Sequence, residues 1–267
     1  MDILKDPISG GDPVELSRVA PLIDCMGVLG AGDDWWNGVL STQTVVYGSG
    51  RMGLAGQDSG HLVDPEELAL CRSLAREALR IGGGPMSSEG DFRYYQLAIP
   101  IAVGEPVPER IDEALIRARF GGAILPIATV DVQPLNESAP WWSEMKELIQ
   151  NVNLDSQSVK GRSAKARLAN ALKLARSLAE RNQRPSGDEP DSRAVRAIFR
   201  QLFLNRQLNG PEFRDSAYVA IGDPYEPPPE DRWPPGLEMW PSSFPRLFVG
   251  LTQGGSLAGV FSYVVNT

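Results

Sequence analysis

The chain has 267 residues and a net charge of −8, from 26 Lys/Arg against 34 Asp/Glu. With 42% hydrophobic and 22% charged residues it has enough apolar material for a sizeable core, which excludes a disordered chain. Two cysteines exclude a disulfide framework, and no apolar run approaches the ~18 residues of a membrane span.

The start, Met1-Asp2-Ile3-Leu4-Lys5-Asp6, lacks the basic residues and apolar run of a signal peptide. The expected location is therefore cytoplasmic, or inside an intracellular particle. A first helix is expected over residues 13–26, with Asp12 as cap and Pro13 in the first position. Residues 27–38 read as a loop and residues 39–47 as a strand. A glycine-rich loop follows over residues 48–60. Residues 65–81 repeat the start signal, with Asp64 as cap, Pro65 first and Glu67 third, so a second helix is expected.

Residues 92–103 and 123–132 read as strands flanking a helix over 108–120. Pro100 and Pro126 fall inside those strands, which places both at sheet edges, because proline cannot donate to the ladder. A short helix over 141–152 precedes a long one over 158–182. Pro185, Gly187 and Pro190 break it, and a further helix spans 193–208. Residues 216–221 read as a strand. Eight prolines within 223–245 indicate an extended arm laid on a surface. Residues 247–252 and 257–265, joined by Gln253-Gly254-Gly255-Ser256, read as a β-hairpin.

The expected class is α+β: a mixed sheet with proline-bearing edge strands, two consecutive amphipathic basic helices and a C-terminal hairpin. Three portions are expected. Residues 1–155 form an α+β part, 156–210 the basic helical pair, and 211–267 the arm and hairpin packed back on the first part. A single domain accommodates all three. The hairpin sequence is similar to the tail of small nuclease-inhibitor proteins; that likeness covers the terminal strands alone and assigns no family.

Charge is segregated along the chain. Between Lys160 and Arg206 there are 12 Lys/Arg and four acids, a net of +8, so the remainder carries −16. Such a segment suggests an anionic partner, since clustered cations raise the local potential. At ~100° per residue, Arg162, Lys165, Lys173 and Arg176 share one edge of the first basic helix. Arg193, Arg196 and Arg200 share one face of the second. The competing expectation is that these edges pair with the acidic remainder of the same fold. Phe199 and Phe203 are the only aromatics in the stretch, and both are expected in the core. Contact would then be to phosphates rather than bases.

Gly48-Ser49-Gly50-Arg51-Met52-Gly53 matches the G-x-G-x-x-G pattern of dinucleotide sites. The glycines at 56 and 60 would break the helix that pattern must open, so a turn is expected and no cofactor. His61 is the single histidine, and it sets the limit on triad or dyad chemistry. Cys25, Cys71 and His61 have no metal-ligand spacing, so no metal and no catalytic set is expected.

Adjacent residues point in different directions, so one member each of Trp35-Trp36 and Trp141-Trp142 should stay accessible. Trp36, Trp142, Trp233 and Trp240 are the expected interface anchors.

The resulting expectation is a non-enzymatic assembly or packaging protein of coat-, matrix- or nucleoprotein type. It would contact nucleic acid or another polyanion through the basic helices and associate with itself or another protein. An acidic inhibitor or immunity-type protein is the first alternative. An enzyme using the loop from Gly48 to His61 is the second.

Overall fold

The computed structural model describes residues 4–5, 39–41, 44–46, 50–54, 62–81, 94–154, 163–186, 188, 191–223, 226–233, 240 and 243–265. The helix expected over 13–26, the acidic loop after it, Trp36, Cys25, His61 and Arg162 lie outside these residues.

In chain order the elements are β1 (Leu4–Lys5), β2 (Thr44–Val46), β3 (Met52–Leu54), β4 (Leu62–Val63), α1 (Pro65–Ile81), β5 (Tyr95–Ile99) and α2 (Glu113–Arg119). Then come β6 (Val130–Pro134), α3 (Pro140–Leu154), α4 (Ala164–Glu180), α5 (Ser192–Leu208), β7 (Phe213–Ile221), β8 (Ser243–Thr252) and β9 (Leu257–Val265). The protein is α+β.

One five-stranded sheet, ordered β5-β9-β8-β7-β6, organises these elements. Every pairing in it is antiparallel, where a mixed sheet was expected. The terminal hairpin β8–β9 supplies its centre, and β5 and β6 from the first half of the chain close its two edges. The first and last portions of the sequence therefore share one sheet. The prolines expected inside the edge strands lie just outside them. β5 ends at Ile99 before Pro100, and β6 begins at Val130 after Pro126. Pro245 lies in central β8, where the ladder to β7 has already ended at Arg246↔Ala220. Its missing N–H leaves no β7 carbonyl unpaired there.

Both faces of β8 and β9 are covered, so these strands read as nearly continuous apolar runs rather than as an alternation. On one face Tyr218, Phe248, Ala258 and Val260 pack under α1, α3, α4 and α5. On the other, Leu247, Val249, Leu251, Leu257 and Val219 pack against α2 and residues 39–40, 52 and 123–124. Two glycines permit close approaches within the sheet. A Cβ on Gly259 would overlap the Phe248 carbonyl, and one on Gly250 would overlap the Phe213 ring.

The long helices follow their local signals. The Asp64 Oδ1 caps α1 by accepting from the Glu66 N–H at 2.9 Å. The helix expected over 108–120 is shorter, because Asp112 takes the cap position and accepts from the Leu115 N–H at 2.9 Å. The Ile111 N–H donates to Asp215 Oδ2 at 2.6 Å, which holds the chain before Asp112 outside the helix. Ser163 caps α4. α4 ends at Glu180, two residues short of the expected limit at 182. Asn182 has φ 56°, with the Asn182 N–H on the Ala179 carbonyl and the Gln183 N–H on that of Leu178. This is a Schellman closure, with asparagine in the place glycine usually takes.

The end of the G-x-G-x-x-G run enters strand β3, which pairs antiparallel with β2. Val46 pairs with Met52, and Gly53 lies within β3 opposite Val45. The third glycine of the pattern thus sits in a strand rather than at a helix start, where the expectation was a loop over residues 48–60.

The tryptophan pair 141–142 departs from expectation. Both rings are buried, Trp141 at 2% and Trp142 at 1% exposure. They start α3 in the corner between helices and sheet. Trp141 stacks on Tyr218 at 5.4 Å, meets Phe248 edge-on, and donates its Nε1–H to the Pro134 carbonyl. Trp142 lies edge-to-face on Trp141. A corner buries two directions at once, so Trp142 is core and not an interface anchor. Trp233 and Trp240 are partly buried and pack on each other at 6.0 Å. Their Nε1–H groups donate to the Pro228 and Asp223 carbonyls. The arm turns back on itself, with a 3₁₀ turn at Glu230–Arg232, instead of running fully extended.

Candidate polyanion-binding surface

The helices α3, α4 and α5 are inserted between the neighbouring strands β6 and β7. Two contacts fix the relative direction of α4 and α5. Near their starts, Arg167 Nε donates to Asp191 Oδ1 at 2.9 Å. Near their ends, Arg176, Ala179 and Glu180 line one groove with Leu202, Phe203 and Arg206. The helices therefore run in the same direction.

Arg167 is the buried cation among the described residues of the basic segment. Its guanidinium is clamped by Asp191 and the Leu154 carbonyl. Asp191 is in the left-handed region at φ 56°, and its carboxylate serves Arg167 instead of capping α5.

The remaining cations are distributed by helical phase. In α4 the apolar face is Leu168, Ala171, Ala175 and Leu178, and Lys165, Lys173 and Arg176 are exposed opposite it. In α5 the buried face includes Val195, Ile198, Phe199 and Leu204, and Arg193 and Arg196 are exposed. Arg200 is only partly exposed and stands near the buried Tyr94 hydroxyl, whose pKa burial pushes up. Arg176 is paired with Glu137, an acid from outside the segment. Among the described residues, Lys165, Lys173, Arg193 and Arg196 make no ion pair. The two helices carry eight basic residues and one acid, Glu180.

Lys165, Lys173 and Arg176 are thus exposed on one of two parallel rods and Arg193 and Arg196 on the other. Rods packed at such a distance have axes about 8–10 Å apart. With about 1.5 Å rise per residue, the row from Lys165 to Arg176 is about 16 Å long and that from Arg193 to Arg200 about 10 Å.

Three features were not visible in the sequence. The shared direction of the helices depends on the path of the 181–191 connection. Phe203, assigned to the core, is partly exposed beside the groove. A buried ionic cluster joins distant positions. Glu105 is held by Arg51 at 3.0 Å and by Arg119, and the Ala102 N–H also donates to it. Burial alone raises the Glu105 pKa, but the two guanidiniums more than offset this and hold it below the usual carboxylate range. This cluster locks residues 100–105 onto the sheet. Nearby, Cys71 is fully buried, donates to the Leu257 carbonyl at 3.1 Å, and has its pKa pushed up by burial. A protonated thiol in such a place is a core residue rather than a nucleophile.

Among the described residues no group of His, Cys, Asp and Glu is placed to hold a metal ion. None of their helices is long and apolar enough to cross a membrane. In comparisons with known proteins, the sequence matches no family model and no curated protein.

Proposed function

We propose that this protein binds a polyanion, nucleic acid in the first place, through the exposed cationic faces of α4 and α5. The role is non-enzymatic, of the assembly or packaging kind served by coat, matrix and nucleoproteins. The observation that carries this reading is that Lys165, Lys173, Arg193 and Arg196 face outward without acidic partners among the described residues. In a chain of net charge −8, unpaired cations gathered on one pair of helices create a local field of opposite sign to the whole. Phosphate backbones respond to such a field with little sequence preference.

The test is fluorescence anisotropy with a labelled single strand of about 16 nucleotides at about 50 mM salt. The reading requires binding by the natural protein. It also requires loss of binding when Lys165, Lys173, Arg193 and Arg196 are all changed to Glu with the fold retained. Absence of binding by the natural protein, or equal binding by the variant, would overturn it.

A further inference from the structure

Beside the cationic rows lies a groove of about 350 Å³ between the C-terminal halves of α4 and α5. This is near the lower end of the volumes that small-molecule sites occupy. Its lining combines apolar surface from Ala179, Leu202 and Phe203 with the charged groups of Arg176, Arg206, Glu137 and Glu180. The Phe203 ring is backed by Phe199, with centroids 4.5 Å apart, so it is held in place while still lining the groove. The Arg176 charge is compensated by Glu137. Arg206 and Glu180 make no ion pair among the described residues.

We infer that this groove is a base-stacking subsite for single-stranded nucleic acid, a step that rests on the polyanion reading above. A supported aromatic ring beside a cationic track is the arrangement that single-strand binders use, because every base has a π face. The groups present divide the work. Phe203 offers the stacking surface, and Leu202 and Ala179 exclude water around it. Arg206 lies where a phosphate flanking the stacked base would pass. Glu180 can accept hydrogen bonds from an exocyclic amine, a contact open to cytosine, adenine and guanine and closed to a bare phosphate. With charges of both signs the groove adds little net attraction for phosphate. The salt-dependent affinity therefore belongs to the helix rows, and the dependence on bases belongs to the groove. A paired duplex keeps its bases stacked inside, so it would use the rows alone.

The experiment compares a labelled single strand with an abasic strand of equal length, against the natural protein, Phe203→Leu and Ala179→Leu. Phe203→Leu keeps apolar packing on Phe199 but removes the stacking ring. Ala179→Leu fills the groove from its other wall and leaves Phe203 untouched. The natural protein should prefer the base-bearing strand by about 5- to 100-fold. Each variant should lose that preference and keep its affinity for the abasic strand, and Phe203→Trp should preserve it. Equal affinity of the natural protein for both strands would overturn the groove inference and leave the polyanion reading standing. A preference that survives in both Leu variants would overturn it as well. Binding of neither strand would overturn both.

Discussion

Glu105 is one carboxylate set between two buried guanidiniums, Arg51 and Arg119. Its removal takes from two buried cations the carboxylate they share. Glu105→Gln should therefore lower stability by about 3 kcal/mol, measured by urea unfolding. The sign of the pH effect follows from the depressed pKa. Stability from this group is fully present above the ordinary carboxylate range and is lost as pH falls below that range. The variant should show a flatter acid limb than the natural protein; an unchanged limb would mean that Glu105 is not a coupled group. Asn205 is the opposite case. It is buried in α5, and neither polar atom of its amide has a hydrogen-bond partner among the described residues. A buried amide without partners costs stability, so Asn205→Leu should raise the melting temperature, by about 1–2 kcal/mol of added stability. A fall would show that the amide is satisfied in solution.

The central hairpin depends on backbone contact. Gly259 faces the Phe248 carbonyl with no room for a Cβ, so Gly259→Ala should cost about 2–3 kcal/mol and broaden the unfolding transition. Thermal unfolding checks this, and a neutral result would mean the strands can shift. The elements legible in the sequence were those with local signals. The Asp64-Pro65 start of α1 and the Gly-Gly turn between β8 and β9 were both readable from a few adjacent residues. What was not legible came from distant partners. The start of α2 is set by an Asp215 carboxylate 104 positions away from the Ile111 it binds. Trp142 is buried because α3 begins in a corner, which no local pattern encodes. The cationic phases of α4 and α5 were readable from helical periodicity. Their common direction was not, since the 181–191 connection can span the helix length or turn back at once. The groove at Phe203 exists only because of that direction.

At the scale of the molecule, one antiparallel sheet carries helices on one face and α2 with short connections on the other. The insertion of α3, α4 and α5 between β6 and β7 gathers eight basic residues and one acid onto α4 and α5 of an acidic chain. Arg176 of that segment pairs with Glu137 from outside it, and Arg167 pairs with Asp191 from within it. Pairing of the basic edge with the acidic remainder is therefore seen at Arg176, while Lys165, Lys173, Arg193 and Arg196 make no ion pair among the described residues. The central claim is that these four cations release counterions from a phosphate backbone. The measurement is the slope of log affinity against log salt for a single strand, for the natural protein and for the variant with all four changed to Gln. Each cation in contact contributes about −0.7 to that slope, so the variant's slope should be shallower by about 3. Two slopes that coincide would contradict the claim.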